Sequence, residues 1–223
     1  MIPQILYEDN HVIAVNKAPG LLAQGDRTGN ASILDLMKSF IKERDAKPGR
    51  VFLGLPHRLD RPAGGVLLLA KTSKALSRLA ASFRDGLVSK TYWAAVESPP
   101  EPPQGTRIDW LIKDGRINVS RCVEASVAGA RQAELNYRLI GKSDRYWLVE
   151  LSLITGRHHQ IRVQLSAMGC PIKGDLKYGA KRSNPSGGIA LHARRLELPH
   201  PVRQERLILT APPPEEPVWK GFR

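Results

Sequence analysis

Asp60 is the first residue in this sequence that invites a chemical reading. It lies in His57-Arg58-Leu59-Asp60-Arg61-Pro62-Ala63-Gly64-Gly65, a loop by its proline and glycine content, between the apolar runs Val51–Leu55 and Val66–Ala70. A carboxylate on a tight loop between two strands is held by rigid elements and can face a cleft. Arg58 and Arg61 favour its charged form, the form that acts as a nucleophile or a base. The commoner use of such an aspartate is structural, closing a turn or pairing with an arginine.

A second constellation is Thr155-Gly156-Arg157-His158-His159-Gln160-Ile161-Arg162. It gathers Arg, His and Gln at a helix start, where exposed backbone N–H groups favour an anion. Arg157 and Arg162 suit a phosphate or a carboxylate there. His158 and His159 invite a metal reading, but adjacent helical residues point apart and chelate poorly. A metal site there is therefore not expected. Tyr92 and Trp93 follow Lys90 in a β-type run, so alternation places one ring on each face. One can be core while the other is offered to a planar ligand. Lys173, Lys177, Lys181, Arg182, Arg194, Arg195, Arg203 and Arg206 crowd the C-terminal part, as a phosphate track would or as a solvated charged face.

The elements that must position these residues are short. Ile5–Tyr7 and Val12–Val15 read as a hairpin. Ser32, with Asp35 three residues on, starts a helix whose apolar stripe is Ile33, Leu36, Met37, Phe40 and Ile41. A buried strand is expected at Val51–Leu55. Val66–Ala70 is apolar throughout and should be a central strand. Ser73 is expected to cap a helix with Leu76, Leu79, Ala80 and Phe83 inward, and Gly86 suits a left-handed C-cap. Further strands are expected at Thr91–Val96, Ile108–Ile112, Ile117–Ser120, Ala133–Ile140, Tyr146–Leu153, Ile189–Leu198 and Arg206–Thr210. Asp114-Gly115 is a hairpin signal. The helix after Arg157 should turn Ile161, Leu165 and Met168 inward and end at Gly169. Strands dominate, which predicts an α+β fold: a long, mixed and mostly antiparallel sheet with helices on its sides. The proline-rich stretch at 98–106 is the clearest linker-like break, either dividing one domain of residues 1–223 into two halves or forming a long surface loop.

Bulk properties narrow the partner. Lys and Arg total 34 against 21 Asp and Glu, a net charge of +13 in 223 residues. A chain this basic commonly meets nucleic acid. The two cysteines, Cys122 and Cys170, form no C-x-x-C pair and fit a reducing compartment. The first residues lack the apolar core of a signal peptide, and no apolar run approaches the ~20 residues of a membrane span. A cytoplasmic protein is expected.

Taken together, the motifs resemble the RluA-type pseudouridine synthases. His57-Arg58-Leu59-Asp60 followed by Gly65-Val66-Leu67-Leu68-Leu69-Ala70-Lys71 is similar to that family's catalytic motif. Leu153 through Val163, continuing into Gly169-Cys170-Pro171-Ile172-Lys173-Gly174-Asp175 and Tyr178-Gly179, resembles its second diagnostic segment. Lys90-Thr91-Tyr92 and Asn16-Lys17-Ala18-Pro19-Gly20 resemble two shorter motifs. The resemblance implies a catalytic fold with an RNA-binding cleft across the middle of the sheet. It implies isomerisation of uridine to pseudouridine in structured RNA, without cofactor or metal. Ribosomal or transfer RNA is the expected partner, and a monomer the expected state. Asp60 would be the essential carboxylate, Arg162 its partner and Tyr92 the surface on which the base stacks. Arg58 would enter the RNA as the nucleotide flips out. Val163 would form a pocket wall, and His57, Arg61, Arg157, His159, Lys173 and Lys177 would contact RNA.

Two departures stand out. Ala63-Gly64-Gly65 replaces the family's usual Thr-Ser-Gly, and Ala18 separates Lys17 from the proline that usually follows it directly. The chain begins its first strand at about Ile5, so no separate N-terminal RNA-binding domain is expected. Two other readings remain open: a non-catalytic RNA-binding or ribosome-assembly module on the same fold, and a metal-dependent hydrolase using His57, His158 and His159.

Overall fold

The computed structural model describes residues 2–25 and 29–222. The chain divides into two compact units, Met1–Lys90 with Ala193–Pro213, and Thr91–His192 with Pro214–Arg223. It passes between them within β4 (Ser89–Val96) and again within β9 (Leu191–Pro199). The stretch at 98–106 is not the division. It lies inside the second unit and runs into β5 (Gln104–Asp114).

In the first unit, β1 (Gln4–Glu8) pairs antiparallel with β2 (Val12–Lys17), and β2 with β3 (Gly64–Ala70). The order continues to β9, which pairs antiparallel with β10 (Arg206–Thr210). β3 is buried at every residue, as its unbroken apolar run requires. Val12, Ala14, Val66 and Leu68 pack in one cluster with Leu196, Leu198, Leu207 and Leu209, and with Ala75 and Leu79 of α2 (Ser73–Arg84). α1 (Ile33–Arg44) buries Ile33, Met37 and Ile41. Its cap forms as the sequence requires: Ser32 Oγ accepts from the Asp35 N–H and donates to the Asp35 carboxylate at 2.6 Å.

Three expectations fail in this unit. Val51–Leu55 forms no strand. Only Gly54 bridges Ala70, and Phe52 is exposed; β3 already has β2 and β9 as its neighbours in the sheet. The cap of α2 is Thr72, whose Oγ1 accepts from the Ala75 N–H, so the helix starts at Ser73 and buries Ala75 where Ala80 was expected. Gly86 does take φ +73° just past that helix.

In the second unit the strand order is β4, β8 (Trp147–Leu153), β7 (Arg131–Lys142), β5 and β6 (Val119–Val123), each antiparallel to its neighbours in that order. α3 (Gln160–Ala167) packs on β5 and β6. It closes with Gly169 at φ +73° and Cys170 N–H bonded to Leu165 O at 2.9 Å, the closure that lets a left-handed glycine satisfy the last carbonyls. α3 departs from a one-faced helix. Gln160, Arg162 and Gln164 are buried with Ile161, Val163 and Leu165. α4 (Pro217–Lys220) follows with Trp219 buried. The α+β class is as the composition of elements required: ten strands, with few helices, among the described residues.

Candidate active site

The loop carrying Asp60 is fixed from both sides, all within the first unit. At its start His57 Nε2 accepts the Leu68 N–H at 3.0 Å, and the ring stacks on Phe83 with centroids 4.8 Å apart. That bond needs the neutral imidazole. Burial, and to a lesser extent Lys90, pushes His57 down to about 3. At the turn, Ala63 N–H donates to Asp60 O at 3.1 Å. Leu59 is buried beneath it.

The segment after β2 holds the other side. Gly20 N–H donates to Arg61 O at 2.9 Å, and Arg61 Nε donates back to Gly20 O at 3.1 Å. Lys17 is 1% exposed, and its Nζ donates to the carbonyls of Ala18, Leu21 and Arg61 at 3.1, 2.8 and 3.1 Å. Burial pulls Lys17 down to about 7, against the nearby negative charge of Asp60. A buried ammonium with three backbone acceptors pins the two loops together and places a positive charge near the carboxylate. In the sequence Lys17 stands out only as part of its motif, and the available signal was a lysine ending a mostly apolar strand.

The same contacts connect the two departures. A Cβ on Gly64 would lie 3.1 Å from both Lys17 O and Pro19 Cδ. Pro19 therefore occupies space that a side chain at 64 would need. Gly65 sits at φ +112°, and a Cβ there would lie 2.3 Å from Ala193 O, so only glycine fits against β9. Arg58 is exposed and Asp60 is partly buried.

In the second unit Tyr92 lies opposite Leu151 and Trp93 opposite Glu150. Trp93 Nε1–H donates to Glu150 at 3.2 Å, and both rings are partly buried. The 155–162 segment is clamped by Gln160. Its Oε1 accepts from Thr155 Oγ1 at 2.8 Å and from Arg157 N–H at 2.9 Å, and its Nε2 donates to Glu134 O at 3.0 Å. Arg157 is exposed, with Nε on Gln132 O at 2.9 Å.

Arg162 is 4% exposed and Asp175 1%. The guanidinium meets Asp175 through Nε at 2.7 Å and Nη2 at 2.8 Å, a two-pronged pair that fixes its plane. The Tyr178 ring lies 4.9 Å from its centre. Tyr178 Oη accepts the Ser120 N–H at 2.8 Å and so donates to His159 Nδ1, also at 2.8 Å. Ser120 Oγ donates to His158 O at 2.7 Å, which leaves it to accept from His158 Nδ1 at 2.9 Å. Burial, then the charge of Arg162, lowers His159 to about 3, in keeping with an Nδ1 that accepts. Asp175, Tyr178 and Ser120 were given no role by sequence reasoning. The first two stood inside a quoted motif, but no spacing rule connects residue 120 with 178.

Val163 is buried among Leu111, Ala133 and Tyr178. Lys173 Nζ reaches Arg182 O at 3.3 Å and Ser183 O at 3.2 Å, and exposed Lys177 reaches Asn118 O at 3.3 Å. The structure directs His57 and His159 into the protein, whereas Arg58, Arg61, Arg157 and Lys177 remain on its surface. Among the described residues, no three His, Cys, Asp or Glu side chains gather as a metal site would require, and no helix is long and apolar enough to cross a membrane.

Comparison with known proteins places these motifs. The family model for RNA pseudouridylate synthase matches residues 11–167, which takes in the Asp60 loop, Tyr92 and Arg162. The chain belongs to that family. It is 32% identical over 209 residues to ribosomal large subunit pseudouridine synthase C of Rickettsia bellii (strain RML369-C), covering 93% of this chain and 67% of that protein. It is 33% identical over 222 residues to ribosomal large subunit pseudouridine synthase D of Nitrosomonas europaea, covering 96% and 62%. The chain thus spans about two thirds of the length of these curated relatives. Among solved structures, human RNA pseudouridylate synthase domain containing 4 matches with a TM-score of 0.79 at 28% identity, covering 95% of this chain and 88% of that one.

Proposed function

We propose that this family member isomerises uridine to pseudouridine in structured RNA, with Asp60 as the essential carboxylate. Ribosomal RNA is the first substrate to test, since both relatives carry ribosomal names, and transfer RNA is the second. The observation that carries the reading is the Asp60 loop. Its framework is hydrogen-bonded on both flanks and backed by buried Lys17, which is the pre-organisation a reacting carboxylate needs.

The reaction breaks the N-glycosidic bond, turns the uracil and rejoins it through C5. The base must first leave the stack, at a cost of a few kcal/mol. Asp60 either attacks C1′ of the ribose or removes a proton from C2′, and both need an ionised carboxylate at about 2.6–3.2 Å from its target. The family resemblance assigns Arg162 as its partner and Tyr92 as the stacking surface, with Val163 at the pocket wall. Arg58 enters the RNA. Arg61, Arg157, Lys173 and Lys177 contact phosphates, and His57 and His159 support the two loops from within.

The deciding experiment is release of the C5 hydrogen from labelled uridine in ribosomal and transfer RNA, comparing wild type with Asp60→Asn. The variant keeps shape and loses charge, so turnover should vanish while circular dichroism and RNA affinity are retained. A folded, RNA-binding Asp60→Asn protein with near wild-type release would refute the assignment. Wild-type protein that binds RNA without any release would favour the binding-module reading.

A further inference from the structure

Asp175 and Tyr178 are buried polar residues to which the proposed reaction gives no role. One short turn of the second unit carries both. The helical turn Leu176–Tyr178 follows Asp175 directly, Tyr178 N–H and Ala180 N–H both donate to Asp175 O at 3.0 Å, and Gly179 ends it at φ +96°. The segment ahead of the turn is tied to β4, the strand that carries Tyr92. Val96 bridges Ile172, and Lys173 N–H donates to Ala95 O at 2.9 Å. The turn is therefore a fixed platform.

Both side chains act on Arg162. Asp175 takes the side edge of the guanidinium, Nε with Nη2, at 2.7 and 2.8 Å. That choice of edge directs the end edge, Nη1 with Nη2, away from Asp175. The Tyr178 ring, 4.9 Å from the guanidinium centre, supports its plane. Tyr178 is itself held at Oη by Ser120 N–H and His159 Nδ1, each at 2.8 Å. His159 stands at the N-cap of α3 with φ +53° and ψ +24°, a left-handed conformation uncommon outside glycine. Its ring stacks on His158 with centroids 3.8 Å apart. A residue stays in such a conformation where its surroundings over-determine it. Here the residue so fixed sets how α3, with Arg162 in its first turn, leaves the preceding loop.

Stability is a weak reason for this arrangement. A buried ion pair gains little over apolar residues of the same volume, and an arginine held this way loses its rotamer freedom. What the arrangement supplies is direction. We propose that Asp175 and Tyr178 are positioning residues for Arg162, fixing the direction in which its guanidinium serves the reacting carboxylate. This rests on the functional reading above, which gives Arg162 that partner. Neither residue touches the reacting atoms in this account; both act through the guanidinium.

The test is a double-variant cycle on the single-turnover rate of C5 hydrogen release from labelled ribosomal and transfer RNA, with enzyme in excess and circular dichroism confirming the fold. Asp175→Glu keeps the charge and sets the carboxylate one methylene farther along, so a mere counter-charge survives it and a positioning group does not. It should keep RNA affinity within about twofold and lose about a hundredfold in rate, the cost of a misplacement of about 1 Å. Tyr178→Phe keeps the ring and removes the hydroxyl that holds Ser120 and His159, and should lose about tenfold in rate, near the worth of one hydrogen bond. On an Arg162→Lys background the fork is gone, so each change should cost less than about twofold more. A folded Asp175→Glu with the wild-type rate, a loss of RNA affinity in place of rate, or a full further loss on the Arg162→Lys background would each overturn the proposal. If Asp175→Glu does not fold, Tyr178→Phe is read by the same outcomes. A folded Arg162→Lys with the wild-type rate would instead overturn the role given to Arg162 beneath it.

Discussion

Asp175→Asn tests whether the buried Arg162 pair is a structural requirement. The wild-type carboxylate accepts two charge-assisted hydrogen bonds, at 2.7 and 2.8 Å, in a site where the two residues are 4% and 1% exposed. Asparagine keeps one acceptor and turns the other position into an N–H donor facing a guanidinium N–H. The buried charge of Arg162 then loses the carboxylate of Asp175, in a site with little water. Breaking a buried pair from one side costs about 3–5 kcal/mol. The retained acceptor and the Tyr178 ring, 4.9 Å away, place the expectation at the low end, about 3 kcal/mol. Urea unfolding measures it directly. The double variant Asp175→Leu with Arg162→Met separates charge from shape. It should recover most of that stability, because apolar replacement of a buried pair is often neutral, and still lack activity. An Asp175→Asn protein within about 0.5 kcal/mol of wild type would refute the argument, since it would mean that water or another acceptor readily replaces the carboxylate.

Three further outcomes are expected. His57 and His159 are both held neutral, at about 3 in the folded protein. The unfolded chain binds protons first as pH falls through about 6.5, so stability should drop by about 2 kcal/mol per histidine between pH 6.5 and 4.5; Glu8 and Asp9, at about 2, act mainly below that window. Urea unfolding at several pH values checks this, and a flat profile contradicts it. Tyr92→Ala should lower turnover more than RNA affinity, by the ~1–3 kcal/mol that base stacking provides; an unfolded variant would show that the ring is core instead. RNA affinity should fall steeply with salt, with a log–log slope of about −3 to −5 for four to six phosphate contacts, as the net charge of +13 suggests, and a flat slope would exclude a phosphate track.

Local chemistry made much of this protein legible in one dimension. Ser32 and Asp35 specify a helix start by themselves, Gly86 and Gly169 specify helix ends, and the unbroken apolar run at Val66–Ala70 specifies a strand buried on both faces. The Asp60 and Arg162 motifs were legible because each is contiguous. Val51–Leu55 misled because apolar content indicates burial and not pairing, and only Gly54 finds a partner there. α3 misled because period alone cannot reveal that Gln160, Arg162 and Gln164 find hydrogen-bond partners when buried. Tertiary structure alone decided that Lys17 would donate to Arg61 O across 44 positions, and that Ser120 N–H would meet Tyr178 Oη across 58. A side chain's own sequence specifies what it can bond. Which acceptor reaches it depends on how distant segments pack, and for a buried charge that choice sets both its cost and its use.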